Sequence, residues 1–130
     1  MGMGNTTNPA LHRLAEALGV TTKRHTGGGK GYYDARTHTI TTRRGMSIQQ
    51  YKSTFAHELI HAMRRDVPIP IPVLHRRNEL RVDRKAANLL ISPEAFHDAL
   101  AWHQGHLPSV ADELEVTLHL LTVWIESRKP

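Results

Sequence analysis

The stretch AHELIHAM, residues 56–63, places His57 and His61 four positions apart, with Glu58 directly after the first. One helical turn sets two imidazoles at a separation that chelates a single ion, and a glutamate beside the first can reach a water on that ion. Further along, Glu79 and Asp83 stand one turn apart. They share a helical face with Val82, Ala86 and Leu90, while Arg77, Arg81, Arg84 and Lys85 occupy the other face. A carboxylate set in an apolar stripe needs a compensating charge, because its burial alone is costly. A divalent cation supplies that charge. His57, His61 and Glu79 are then the ligands, Glu58 the catalytic carboxylate, and Asp83 the acceptor for the free ring N–H of a ligating histidine. The competing arrangement pairs Glu79 or Asp83 with Arg76 or Arg64 and leaves both histidines half-buried without an ion.

These side chains need two helices. Ser47 and Gln50 form a capping-box pattern, with Met46 and Tyr51 placed as a hydrophobic staple, so a helix is expected from about Ile48 to Arg64. Within it Ile48, Phe55, Leu59 and Ala62 form the apolar stripe, opposite the histidines. Prolines 68, 70 and 72 in DVPIPIP then enforce an extended connector. The second helix is expected from about Leu74 to Ile91. Ser92 and Pro93 cap a third that ends near Gly105, and Ser109 opens the last helical region. Upstream, NPALHRLAEALGV reads as a short amphipathic helix ending at Gly19. TTKRHTGGGKGYYDARTHTITTRRG, rich in threonine, tyrosine and glycine, reads as a small antiparallel sheet of two or three strands. The expected class is α+β, one domain over residues 1–130, with residues 1–8 disordered and residues 107–130 a C-terminal helical subdomain. The GGGKG segment lacks the spacing of a phosphate-binding loop.

STFAHELIHAM followed by ELRVDRKAANLLISPEAF resembles the ImmA/IrrE-type metallopeptidases, and the threonine-rich strand and closing helical segment are also similar to that family. The resemblance implies a zincin-like core and a zinc endopeptidase of the gluzincin type. It assigns His57, His61 and Glu79 to the metal, Glu58 to catalysis and Asp83 to support. It also implies a target, a helix-turn-helix repressor of the kind encoded by phages or mobile elements. Val82 and Lys85 depart from the residues usual in the family. His75 lies one turn before Glu79, where SprT-like proteases place a third histidine, but Arg76 replaces the glycine expected after it. His75 is therefore read as a cleft residue. A peptide substrate is expected to add along residues 37–44, taken as a sheet edge.

The 130-residue chain has no cysteine, which excludes disulfides, thiolate metal sites and cysteine nucleophiles, and suits a reducing cytoplasm. Neither a secretory leader nor a membrane-spanning run is expected. The formal charge of +5 is compatible with nucleic acid, and VADELEVTLHLLTVWI has the layout of a helix-turn-helix with Ala111, Leu114, Val116 and Trp124 at core positions. Its acids, Asp112, Glu113, Glu115 and Glu126, oppose phosphate contact. That leaves a helix pair that packs, or docks a repressor, as the preferred role. His97, His103 and His106 are read as solvated surface rather than a second metal site. His12, His25, His38 and His119 receive no role. The functional alternative to the peptidase is a metal-stabilised binding module without catalysis.

Overall fold

The computed structural model describes residues 8–129. Among them lie α1 (Asn8–Ala17), β1 (Thr21–His25), β2 (Gly31–Asp34), β3 (Thr39–Arg43), α2 (Ile48–Arg64), α3 (Pro72–Leu90), α4 (Pro93–Trp102), α5 (Leu107–Glu113) and α6 (Leu118–Ser127). The class is α+β. The disorder expected for residues 1–8 falls outside the described residues except at Asn8, which is already helical.

α2 begins and ends where its capping residues place it. Ser47 Oγ accepts the Gln50 N–H at 3.1 Å, and Gln50 Oε1 accepts the Ser47 N–H at 3.4 Å. At the far end Arg65 turns left-handed (φ 51°), and the Asp66 N–H reaches back to the His61 carbonyl at 3.0 Å. Phe55, Ala56, Leu59 and Ala62 are buried, but Ile48, expected in the same stripe, is exposed at the first position of the helix. α3 starts at Pro72, two residues before Leu74, because a proline at the first helical position forgoes only an N–H that the helix does not use. Residues 66–70 carry neither helix nor strand. α4 is capped by Ser92 as expected and stops at Trp102, short of Gly105. The last helical region opens at Leu107 and divides at Glu115, which is left-handed (φ 57°), before Thr117 caps α6.

The sheet corrects the sequence reading. It is mixed, in the order β1-β3-β2, with β1 parallel to β3 and β2 antiparallel to it. β3 is therefore the central strand, and residues 37–44 do not offer an edge. Thr39, Ile40, Thr41 and Thr42 are all buried, which removes the alternation that marks an edge strand. The free edges belong to β1 and β2. Beneath the sheet, α2 packs against α3, and α3 against α6. The core joins Ile40 of β3, Leu59 of α2, Val82, Ala86 and Leu90 of α3, and Leu121 and Trp124 of α6.

Candidate metal centre

α2 presents His57 and His61 on its side away from the core, and α3 brings Glu79 across from them. His57 Nε2 stands 2.7 Å from Glu79 Oε2, and His61 Nε2 3.2 Å from Glu79 Oε1. One ligand atom from each of these three residues lies within 4.8 Å of the others. Tetrahedral ligands about 2.05 Å from zinc stand about 3.3 Å apart. The three donors therefore need only a small opening to admit the ion, and two imidazoles with one carboxylate are a donor set zinc accepts. Among the described residues this is the single such group, and it has three members.

The other nitrogen of each ring is also held. His57 Nδ1 donates to Asp83 Oδ1 at 2.7 Å, the contact expected of Asp83. His61 Nδ1 donates to Asp66 Oδ2 at 2.9 Å. Both rings thus point Nε2 toward Glu79, the orientation in which that nitrogen could ligate an ion. Neither Glu79 nor Asp83 pairs with a lysine or arginine among the described residues. Arg64 donates instead to Asn78 Oδ1 at 2.9 Å and lies 3.5 Å from Asp66. The expected alternative, acids tied to Arg64 or Arg76, is not found: Glu79 meets His57 and His61 directly, and Asp83 meets His57 and His119.

Burial works against the charged ring of His57. The Asp83 hydrogen bond and the charges of Glu58, Glu79 and Asp83 outweigh it and hold the ring above the ordinary imidazole value. Glu58 is only 7% exposed. Burial pushes its carboxyl up, a rise that His57 and His61 moderate. Asp83 moves the other way: burial would raise it, but the hydrogen bonds from His57 and His119 prevail and hold it low. The Glu58 and Asp83 carboxyl groups, on facing helices, are thus shifted in opposite directions.

Two hollows, of about 410 and 380 Å³, meet at Gly31, His57 and Glu58. The larger is walled by Tyr32 and Tyr33 of β2 and by Val67, Pro68 and Ile69 of the connector. His75 stands on its lip, half exposed, with Nε2 4.0 Å from Glu79 Oε1, which fits the cleft position expected for it. Gly31 sits where β2 crosses α2. A Cβ there would lie 2.8 Å from Thr54 Cγ2 and 2.9 Å from the Thr41 carbonyl, so only glycine lets the strand come so near the site.

Two participants escaped the sequence reading. Asp66 orients His61, and the only signal for it was an acid two residues past the end of the helix. His119, given no role, reaches Asp83 Oδ2 at 3.1 Å. The helix-turn-helix-like segment does fold as two helices, with Ala111, Leu114, Val116 and Trp124 buried. Its second helix turns its first residues toward α3 and the smaller hollow, where His119 lies. His103 pairs with Glu113 at 2.8 Å and His106 with Ser109 at 2.8 Å, and neither joins a metal-ligating group. No helix among the described residues is long and apolar enough to cross a membrane. None of the family models, curated proteins or solved structures compared with the chain matches it significantly.

Proposed function

We propose that this protein is a zinc-dependent endopeptidase built on a zincin-like core. The observation that carries the reading is the convergence of His57, His61 and Glu79 beside the buried Glu58, with the outer nitrogen of each histidine fixed by a second carboxylate. A structural zinc site is closed by four protein ligands, whereas three are characteristic of a catalytic one. Zinc held there would supply Lewis acidity toward a carbonyl and toward water. Glu58, raised by burial, is a stronger base than an ordinary carboxylate and lies between the two hollows. It takes a proton from the attacking water and delivers it to the leaving nitrogen as the C–N bond breaks. The water oxygen ends on the carbonyl carbon, giving a new carboxylate and a new amine.

The peptide is proposed to lie along the free edge of β2, whose residues 31–33 wall the larger hollow. Adding a strand there supplies backbone hydrogen bonds without a deep pocket. The sequence resemblance extends the proposal to a helix-turn-helix repressor as substrate.

The test compares wild type with Glu58→Gln, each loaded with zinc, on an unstructured peptide library and on a repressor encoded beside the gene, with products read by mass spectrometry. Wild type is expected to cut and to stop when zinc is chelated. Glu58→Gln is expected to retain one zinc and to lose about a thousandfold in rate, within the range general-base removal produces. Cleavage by Glu58→Gln at the wild-type rate would exclude this role for Glu58.

A further inference from the structure

Asp83 is a two-handed acceptor. Oδ1 accepts a hydrogen bond from His57 Nδ1 at 2.7 Å, and Oδ2 one from His119 Nε2 at 3.1 Å. The side chain of Asp83 is 19% exposed and that of His119 71% exposed, so packing alone does not account for the pose of the histidine. A carboxylate held at one oxygen still turns about its last side-chain bond, whose preference is broad. Held at both oxygens, it does not, and the ring that bonds to it inherits the fixed direction.

The start of α6 is itself anchored to the helix that bears the ligands. The Thr117 N–H donates to Ser53 Oγ at 3.1 Å, one turn before His57 on α2, while Thr117 Oγ1 accepts the Leu120 N–H at 3.1 Å. His119, two residues on, is thereby carried on a helix end tied to α2. The chain makes a closed circuit: α2 to the N-cap of α6, α6 to Asp83 on α3, and Asp83 back to His57 on α2.

We propose that His119 is a positioning residue of the metal centre, acting through Asp83 to aim His57 Nε2 at the ion. The proposal rests on the metal reading given above. It assigns the C-terminal helix pair a share in metal binding, although that pair supplies no ligand.

The experiment measures zinc affinity by competition with a chromophoric chelator, and the visible absorption of the cobalt-substituted protein, for wild type, His119→Ala and His119→Gln. It also records thermal melting of the three metal-free proteins. His119→Ala is expected to bind zinc about tenfold more weakly, at the low end for an outer partner of a ligand, and to alter the cobalt spectrum. His119→Gln, whose amide nitrogen reaches the same oxygen, is expected to restore both, with metal-free melting unchanged throughout. Failure of wild type to bind zinc would overturn the metal reading and this inference with it. Equal affinity in wild type and His119→Ala would overturn the inference alone. So would a loss that glutamine does not restore, or a drop in metal-free melting that marks a structural role.

Discussion

Each histidine of the candidate site meets a different second carboxylate, and the two acids were unequally visible. Asp83 sits one turn from Glu79 in a helical pattern, so its contact with His57 follows from periodicity. Asp66 lies beyond the helix, and its contact with His61 depends on the left-handed turn at Arg65, a conformation that non-glycine residues adopt rarely and that no spacing rule announces. The two contacts are of similar length and orient their rings in the same sense, so removal of Asp66 should weaken the site as removal of Asp83 does. Asp66→Ala is expected to lower zinc affinity by about 10- to 100-fold in a chelator competition, while Asp98→Ala, an exposed acid on α4, leaves it unchanged. Equal affinity in Asp66→Ala and wild type would show that His61 keeps its direction without help. The pairing of His57 with His61 on one face was legible because one helical turn is a fixed distance. His119 was not, because only tertiary packing brings it to Asp83.

Between elements, Lys52 of α2 meets Glu115 in the turn from α5 to α6. Lys52 is 1% exposed, and its Nζ lies 3.1 Å from Glu115 Oε1. That contact explains why a glutamate occupies a left-handed position where a small residue is usual in helix-turn-helix turns. Glycine there would relieve about 1 kcal/mol of backbone strain. It would also strand a buried ammonium, which costs several kcal/mol when the partner is fully buried and less here, where Glu115 is half exposed. The second effect is the larger, so Glu115→Gly is expected to lose about 1–2 kcal/mol in denaturant unfolding. The double variant Lys52→Met, Glu115→Gly should recover that loss, since neither charge nor strain remains. A gain in stability from Glu115→Gly alone would show that Lys52 finds another partner. α2 was legible to the residue from Ser47, Gln50 and its apolar spacing. The small three-stranded sheet was legible as well, but its mixed order was not, because threonines buried on both faces of β3 read as a solvated edge. The hydroxyl that suggests water is satisfied internally, as where Thr39 Oγ1 donates to the Thr37 carbonyl at 3.2 Å.

Across the molecule, the proposed ligands come from α2 and α3, the helix pair around which the sheet and α6 are arranged. An ion bound there ties the two central helices together across an irregular connector. No such site exists in the unfolded chain, so binding energy adds directly to folding energy. At free zinc a thousand times the dissociation constant, the native state gains about 4 kcal/mol. For a chain of this length that corresponds to roughly 15 °C in melting temperature. Melting followed by circular dichroism, with zinc or with chelator, should show that shift in wild type. Glu58→Gln should keep it, because Glu58 is not a ligand, and Glu79→Ala should lose most of it. The two variants and wild type together separate two properties that activity alone confounds, holding the ion and using it. A melting temperature indifferent to zinc in wild type would mean that Glu79 faces the two histidines only as their hydrogen-bond acceptor.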